Sequence, residues 1–267
     1  MPSSLLYLHA GQPPRPLRVL LTRPREQSDE TAQWIRSRGG EPLLFPCLRV
    51  ELSDDLALRV AASELTHYDA VALTSVHAVR ALLPLVPPTS CWPPLVVIGH
   101  KTAAELRRHE LSAAVILDGE SSTASALATE LVRLLGPSSE RRRVLFPQAA
   151  EGRDELPNLL RAKGVSIDRL AAYRTVPVPI EELQPAADLL RAGQVDLVPL
   201  GSPRTAQVLL HALGSDASQV LGHTLVGAIG QTTSRALREL NVRVDVVAEQ
   251  PSFEDLIEKL AAVRQRS

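Results

Sequence analysis

The chain repeats its own pattern once along its length. Four segments of the first half recur in the same order in the second half, and those that start at Arg18, Asp69, Val96 and Ser121 are matched by those that start at Arg143, Asp196, Gly227 and Gln250. Within these segments Gly99 matches Gly230, and Leu127 matches Leu256. A duplicated chain implies two similar lobes, and we expect a ligand to bind in a cleft between them.

The composition narrows the classes of function. The chain has 267 residues, enough for two domains, and its 45% hydrophobic and 22% charged residues are typical of a soluble globular protein. Aromatic residues make up only 3%, which disfavours a protein that stacks nucleic-acid bases. A net charge of -1 provides no overall basic field for DNA or RNA. We therefore expect no nucleic-acid partner.

Cysteine content and apolar runs suggest a location. Cys47 and Cys91 are too few for a disulfide framework, so a reducing cytoplasm is the simplest interpretation. No apolar run is long enough to span a bilayer, and the apolar patch at residues 5–8 lacks the basic flank of a signal peptide. Residues 1–16, which include the GQPPRP stretch, are predicted to be a disordered leader. We exclude the chain before Leu17 from the fold.

Short apolar runs alternate with helical periodicity in both halves. Arg18–Thr22 is typical of a buried parallel strand, and Glu26–Arg38 of a helix that ends at a Gly-Gly pair. Further predicted elements are the extended stretch Pro42–Glu51, the strands Ala70–Thr74, Leu95–Ile98 and Ala114–Leu117, and the helices Val76–Leu83, Thr102–Arg108 and Ala124–Leu135. This alternation predicts an α/β fold in which each lobe is a flavodoxin-like, doubly wound parallel sheet. From the pattern alone, Pro137–Arg143 is the linker between the copies.

The turns that follow the strands are the candidate binding positions. Ligands of open α/β sheets bind at the carboxyl ends of the strands, where unpaired N–H groups of helix starts attract phosphates or carboxylates. The residues at these turns are Thr74 and Ser75, Gly99 and Thr102, Ser202, and Gly230 and Thr233. For any single Ser or Thr the plainer interpretation is a helix cap.

Three further side chains stand out near these edges. Arg23 and Arg153 follow the first strand of each copy, where they could bind an anion by charge-assisted hydrogen bonds. Tyr173 follows the third strand of the second copy, and the equivalent site of the first copy, near Leu48, has no tyrosine. A phenol is protonated at neutral pH and can donate a proton to a leaving group. The alternative is a strand tyrosine that only packs.

Several common chemical signatures are absent from the sequence. There is no G-x-G-x-x-G, no P-loop and no G-x-S-x-G around Ser75 or Ser202. The histidines form no H-E-x-x-H pair, and Cys47 and Cys91 are isolated. We therefore expect neither a cofactor nor a metal ion.

Seven motifs together resemble one known family, uroporphyrinogen-III synthase. They are TRP at Thr22–Pro24, ALTSVHAV at Ala72–Val79, VIGHKTAAEL at Val97–Leu106, GRDEL at Gly152–Leu156, AAYRT at Ala171–Thr175, GSPRTA at Gly201–Ala206 and AIGQTTSRAL at Ala228–Leu237. The resemblance runs from about Arg18 to Leu260. Each motif alone is weak, but their number, order and spacing make the set specific.

The resemblance implies an activity and a substrate. Family members close the linear tetrapyrrole hydroxymethylbilane into uroporphyrinogen III, with inversion of ring D and loss of water, through an azafulvene and a spiro intermediate and without a cofactor. The substrate is a polycarboxylate, which in the family is held largely by main-chain amides. We therefore expect hydroxymethylbilane as the substrate, a transient contact with hydroxymethylbilane synthase, a monomer, and no membrane partner.

The resemblance also implies a different division into lobes from a cut at Pro137–Arg143. In this family the chain crosses between the lobes twice. Applied here, one lobe comprises residues 17–45 plus 178–267, the other comprises residues 50–172, and residues 46–49 and 173–177 form a two-stranded linker. This division places Tyr173 at the hinge.

Individual residues are carried over from the family motifs by position. Tyr173 corresponds to the tyrosine thought to assist departure of the hydroxyl, Thr232 and Thr233 to the threonine pair, and Thr74 with Ser75 to the first T-S pair. Two positions depart from the family: Gly201 stands where threonine is common, and Gln231 where proline is common. These departures put side-chain contacts there in doubt but leave the backbone amides available.

A second class of function stays open from the residues alone. A non-catalytic, two-lobed protein that binds or senses a tetrapyrrole or small anion would use the same cleft without turnover. Composition and spacing do not choose between the two, whereas the family resemblance favours the enzyme.

Overall fold

The structure is a computed structural model that describes residues 6–8, 15–136 and 142–266. The strands are β1 Tyr7–Leu8, β2 Arg15–Pro16, β3 Arg18–Leu21, β4 Glu41–Leu44, β5 Leu48–Leu52, β6 Ala70–Leu73, β7 Leu95–Ile98, β8 Val115–Leu117, β9 Arg143–Ala149, β10 Ser166–Pro177, β11 Leu197–Leu200, β12 Leu225–Ala228 and β13 Val246–Val247. The helices are α1 Arg25–Ser37, α2 Leu56–Ser63, α3 Val76–Leu82, α4 His100–Arg108, α5 Ala124–Leu135, α6 Glu155–Arg161, α7 Ile180–Arg191, α8 Pro203–Leu213, α9 Ala217–Leu221, α10 Gln231–Glu239 and α11 Phe253–Arg264.

The chain divides into two compact units. The terminal unit comprises Met1–Arg49 and Val176–Ser267, and the central unit comprises Val50–Thr175. The five-stranded sheet of the terminal unit has the order β13-β12-β11-β3-β4, and its strands pair in parallel. The six-stranded sheet has the order β5-β10-β9-β6-β7-β8, with parallel pairing from β10 to β8. The predicted α/β class with mainly parallel sheets is confirmed.

Each sheet combines strands from both copies of the repeat. Strands β3 and β4 of the first copy join β11, β12 and β13 of the second copy. Conversely, β9 and β10 of the second copy join β6, β7 and β8 of the first copy. The two copies have therefore exchanged their first two strands, although both sheets retain the flavodoxin-like strand order.

Equivalent aspartates hold the exchanged strands in place. Asp69, just before β6, accepts the backbone N–H of Arg143 at 2.9 Å, and its own N–H donates to the Arg143 carbonyl at 2.8 Å. Asp196, just before β11, accepts the N–H of Arg18 at 2.8 Å and returns a bond to the Arg18 carbonyl at 2.9 Å. The same pair of bonds therefore ties β9 to β6 and β3 to β11. It sets the register of both exchanged strands.

The hydrogen bonds of the Asp69 carboxylate should make the free energy of unfolding depend on pH. Burial raises the pKa of the Asp69 carboxyl, but hydrogen bonds from the Arg143 N–H and the Arg142 guanidinium outweigh it and lower the pKa below its ordinary value. A carboxylate with a lowered folded-state pKa contributes stability above its unfolded pKa of about 3.9, and this is lost as the pH falls through the folded pKa. At neutral pH, Asp69→Asn should lower the free energy of unfolding by about 1 kcal/mol.

Urea unfolding of the wild type and Asp69→Asn over a series of pH values measures this effect. The difference between the two proteins should shrink as the pH falls from about 4 through the lowered folded-state pKa, because below that pKa Asp69 is neutral in both states. Asp188→Asn is the control, since the Asp188 side chain is 72% exposed in α7. A difference that stays constant into strong acid would contradict this role for the Asp69 charge.

Helices cover both faces of each sheet. In the terminal unit, Val19 belongs to a core cluster with residues of α1 and α11, while the next residue, Leu20, belongs to a cluster with residues of α7 and α8. In the central unit, Val71 packs with α2, α3 and α4, whereas Ala72 packs with α5 and α6. Alternate strand residues point to opposite faces, so two covered faces require the continuous apolar runs seen in the sequence. Within the described ranges, no helix is both long and apolar enough to cross a membrane.

The predicted leader is partly ordered, which corrects one expectation. Leu6 is buried in the core of the terminal unit, and β1 pairs antiparallel with β2. Arg15 forms two 2.7 Å hydrogen bonds to the buried Asp196 carboxylate. The prediction that the chain before Leu17 lies outside the fold is therefore wrong for residues 6–8 and 15–16. An apolar anchor and an ion pair outweigh the proline-rich composition, while residues 1–5 and 9–14 lie outside the described ranges.

Other boundaries also differ from the sequence-based prediction. The extended stretch Pro42–Glu51 is two strands, β4 and β5, which belong to different sheets. Helix α2 was not predicted; its N-cap is Asp55, which accepts the N–H of Ala57 at 2.9 Å. Residues 137–141 of the predicted linker Pro137–Arg143 lie outside the described residues, and Arg143 already begins β9.

Candidate active site

In the central unit, the turn after β6 carries two predicted site residues. Thr74 directly follows the last residue of β6, and Ser75 is the N-cap of α3, where its Oγ accepts the N–H of His77 at 3.1 Å. The capping interpretation of Ser75 is therefore correct as an account of its present hydrogen bond. Both residues are half-buried, so they lie where the sheet edge meets the surface.

In the terminal unit, Ser202 occupies the equivalent turn after β11. Its Oγ accepts the N–H of Thr205 at 3.1 Å and also hydrogen-bonds the Thr205 hydroxyl at 2.8 Å. Pro203 follows as the first residue of α8, a common arrangement at helix starts. Ser202 is thus a helix cap as well.

Arg23 follows β3 at the same edge and is held by an aromatic ring. Its guanidinium lies 4.3 Å from the centroid of the Phe253 ring, and Nη2 donates to Gln27 Oε1 at 3.1 Å. Burial lowers the pKa of Arg23, and the nearby Glu254 and Glu30 partly offset this, so the group stays cationic at neutral pH. Phe253 was not predicted as a site residue, although its place at the first position of α11 was an available signal.

Glycines begin the two helices that were expected to start at threonines. Helices α4 and α10 have Gly99 and Gly230 as N-caps, so they start two residues before Thr102 and Thr233. Glycine contributes no capping oxygen, which leaves the first amides to other acceptors. Gly99 has φ +87°, in the left-handed region that favours glycine, whereas Gly230 is extended.

The two threonine hydroxyls are therefore placed differently from the prediction. Thr102 is 4% exposed and Thr233 is 3% exposed, so both residues are buried in the first turn of their helices. The prediction that these residues begin the helices is wrong, because the glycines before them act as the N-caps. Thr232 is exposed and lines a groove of about 590 Å³ together with Arg235 and Arg238 of α10.

A cavity of about 220 Å³ lies at the carboxyl edge of the central unit. It brings together the predicted residues Thr74 and Arg153 with Gln148 and Glu155, which were not predicted. Gln148 is 6% exposed, and its Nε2 donates to the Arg153 carbonyl at 3.4 Å. The repeat itself could have indicated Gln148, since it matches Arg23 when Arg143 is matched to Arg18.

Tyr173 lies in the last part of β10, at a shift in the strand register after Ala171. Its ring is half-buried, and its centroid lies 5.3 Å from that of His77 at an interplanar angle of 51°. Tyr173 also packs against the core that contains Ala172, so the packing interpretation explains part of its environment. His77, in the first turn of α3, was missed by the sequence analysis. Its position directly after the Thr74–Ser75 turn was the available signal.

The described ranges contain no grouping of three or more His, Cys, Asp or Glu side chains that could hold a metal ion. The edges instead offer backbone amides, arginines, hydroxyls and one phenol. These groups bind anions and move single protons.

Comparison with known proteins identifies the family of the chain. Residues 29–258 match the family model described as Uroporphyrinogen-III synthase HemD. The chain belongs to the uroporphyrinogen-III synthase family. Its role is thus in tetrapyrrole biosynthesis, as a cyclising enzyme, and the alternative of a non-catalytic binding or sensor protein is not favoured.

The chain is similar to individual members of this family over nearly their full length. The chain is 26% identical over 250 residues to uroporphyrinogen-III synthase of Chlorobaculum parvum, covering 88% of this chain and 95% of the relative. The synthase structure from Helicobacter pylori has a TM-score of 0.55 at 18% identity, with coverage of 92% of this chain and 99% of that chain. A mutant synthase of Thermus thermophilus has a TM-score of 0.51 at 20% identity, covering 94% and 100%. These two structures show the fold.

The Phe253 ring leaves little room for a side chain at Gly201. A Cβ atom at Gly201 would lie 2.8 Å from Cζ and 3.1 Å from Cε2 of Phe253. Phe253 is 6% exposed and carries Arg23 on its ring, so it cannot yield easily. Threonine at residue 201 would therefore be incompatible with this position of Phe253.

Proposed function

We propose that the chain converts hydroxymethylbilane to uroporphyrinogen III as a hydro-lyase that closes the ring, inverts ring D and releases water without a cofactor. The match of residues 29–258 to the synthase family carries this proposal. The chemistry of the two sheet edges supports it, because a polycarboxylate needs many anion-binding groups.

Helix starts and arginines are proposed to bind the substrate carboxylates. Gly99 and Gly230 leave the first amides of α4 and α10 without a capping side chain, so a carboxylate oxygen can take that place. Arg23 and Arg153 lie after the first strand of each copy and add positive charge. Thr232, Thr74, Ser75 and Ser202 supply hydroxyls or further amides at the same edges. Thr102 and Thr233 contribute through their backbone N–H groups, since their side chains are buried.

Tyr173 is proposed to protonate the departing hydroxyl. The C–O bond breaks as the nitrogen lone pair of the terminal pyrrole forms the protonated azafulvene, and the hydroxyl leaves as water with the phenol proton. The half-buried ring of Tyr173, backed by His77, limits access of bulk water on that side. The pyrrole carbon that forms the final ring bond then loses its proton, which returns to the Tyr173 phenolate and completes the cycle.

The pairing of β5 with β10 supports the proposed two-stranded linker at residues 46–49 and 173–177. The Val178 N–H donates to the Cys47 carbonyl at 3.0 Å, and the Ser53 N–H donates to the Ala172 carbonyl at 2.8 Å. In the first bond the residue after β10 donates to the residue before β5, and in the second the residue after β5 donates to a residue of β10. We further propose a cytoplasmic location and substrate transfer by transient contact with hydroxymethylbilane synthase, because the free substrate closes spontaneously to the type I isomer.

The isomer composition of the product tests the proposed reaction. Purified protein is mixed with freshly prepared hydroxymethylbilane, and the oxidised porphyrins are separated by chromatography. We expect mostly the type III isomer, with the heat-denatured protein as the control that gives type I. Type I alone from the native protein would exclude the synthase activity, and tight binding of uroporphyrin without turnover would then indicate a binding protein.

A further inference from the structure

The repeat makes one edge position of the two units directly comparable. With Asp69 matched to Asp196, Thr74 corresponds to Gly201. The remaining correspondences follow from the pairs Leu127 and Leu256, and Arg18 and Arg143; they place Ala124 opposite Phe253 and Gln148 opposite Arg23. The N-caps agree with this alignment, since Thr123 caps α5 and Ser252 caps α11 immediately before Ala124 and Phe253.

In the terminal unit this position is filled. The Phe253 ring occupies the space beside residue 201, which is glycine because a Cβ would lie 2.8 Å from the ring. The ring is 6% exposed and is covered on one face by the Arg23 guanidinium at 4.3 Å. Gly201, Phe253 and Arg23 are far apart in the sequence but together close this position, and we call the three residues the plug.

In the central unit the same position is open. Alanine replaces the phenylalanine and threonine replaces the glycine, and the cavity of about 220 Å³ lies between them. Ile98, Leu127 and Phe146 supply apolar walls. Both Thr74 and Ala124 line this cavity, and they are the residues that correspond in the repeat to Gly201 and Phe253 of the other unit.

We propose that this cavity is a binding subsite for one carboxylate-bearing pyrrole ring of the substrate. The inference rests on the proposed function, since the ring is taken from the proposed tetrapyrrole substrate. Its volume is below the usual range of about 300–1,000 Å³ for whole drug-sized ligands, and it suits a single five-membered ring with a side arm. The plugged counterpart in the terminal unit binds no ring and instead presents Arg23.

The distribution of polar groups fits such a ring. Ile98, Leu127 and Phe146 form the apolar walls, and the faces of a pyrrole can pack against these side chains. Gln148 is almost fully buried, so its amide can hydrogen-bond the ring N–H or a carboxylate within the cavity. Arg153 is exposed in the lining and can pair with the carboxylate of the side arm at the mouth, where Glu155 adds an acidic group.

The test transfers the plug from one unit to the other. The double variant Thr74→Gly/Ala124→Phe gives the central unit the pair of residues that the terminal unit already accommodates. Ser125→Phe is the matched control, because it adds the same side chain at the next, exposed position of α5. Each protein is assayed for melting temperature, for kcat/KM with hydroxymethylbilane, and for calorimetric binding of a monopyrrole that carries acetate and propionate arms.

We expect the plugged variant to melt at or above the wild-type temperature, because a filled cavity gains packing. Its kcat/KM should fall by about 100-fold, as expected when a substrate is misplaced, and the monopyrrole should no longer bind. The control should behave as the wild type in all three measurements. A purely structural cavity would give the same gain in melting temperature with unchanged binding and turnover, which would overturn the proposal.

A second variant keeps the test decisive if the plug unfolds the protein. Arg153→Ala changes an exposed residue at the mouth and leaves the apolar walls intact, so monopyrrole binding should weaken by about tenfold without a change in melting temperature. Unchanged binding in this variant would overturn the proposal. The calorimetric arm needs no turnover, so wild-type protein that binds the monopyrrole but forms only type I isomer refutes the proposed reaction and leaves the subsite standing.

Discussion

Replacement of Asp196 by alanine is expected to lower the free energy of unfolding by about 3 kcal/mol. The Asp196 side chain is 1% exposed, and it accepts two 2.7 Å bonds from Arg15 and one 2.8 Å bond from the Arg18 N–H. The alanine variant leaves this N–H without its carboxylate acceptor and removes the partner of the Arg15 charge. The loss stays near the lower end for buried ion pairs because Arg15 is 39% exposed and can rehydrate.

Chemical unfolding of four proteins measures this loss. Asp69→Ala is the informative comparison, because Asp69 makes the same backbone bonds in the central unit but is 28% exposed. We expect a smaller loss of about 1–2 kcal/mol there. Arg15→Ala should cost less than Asp196→Ala, since it leaves the bond from the Arg18 N–H intact. Equal stability of Asp196→Ala and the wild type would contradict the role assigned to this carboxylate in joining β3 to β11.

Replacement of Tyr173 by phenylalanine is expected to lower kcat by about 10²–10⁴-fold. The change removes only the hydroxyl, so the ring keeps its packing against His77 and the core near Ala172. KM should change little, because the proposed proton transfer is made in the transition state rather than on binding. Loss of the proton donor should slow the departure of the hydroxyl while leaving the fold unchanged.

Single-turnover assays with fresh hydroxymethylbilane, together with the share of type III isomer, measure the effect of Tyr173→Phe. Tyr68→Phe is the matched control, because Tyr68 precedes β6 at the opposite edge of the same sheet and donates to Asp168 at 2.7 Å. This control should lose some stability but retain its kcat. A Tyr173→Phe variant with the full wild-type rate would exclude Tyr173 as the proton donor, and the family assignment would be unaffected.

Local patterns predicted most strands and helices because burial on both faces of a sheet requires continuous apolar runs. Thus Leu95–Ile98 and Ala124–Leu135 have the predicted bounds. The predictions were wrong where a local sequence rule was applied to the wrong residue, or where tertiary contacts outweighed it. Helices α4 and α10 begin after glycines rather than at Thr102 and Thr233, and the leader is drawn onto the terminal unit by buried Leu6 and the ion pair of Arg15.

The candidate site was predictable where it depends on turns and not where it depends on packing. Residues such as Ser75 and Ser202 follow strands, and the helices they begin were visible in the sequence. Gln148, His77 and Phe253 acquire their roles only from neighbours brought by other elements. No local signal specifies that a ring from α11 lies beside residue 201.

Local periodicity and motifs predicted the repeated βα units, their order, and the family to which the chain belongs. Beyond what the family resemblance implies, the strand pairing and the open edge position depend on contacts between distant parts of the chain. Arg18 and Arg143 are equivalent, as are Asp69 and Asp196, so local sequence cannot distinguish the pairing within a copy from the exchanged one. Likewise, the difference between the plug at Phe253 and the cavity at Ala124 arises from contacts between distant residues, and packing alone sets it.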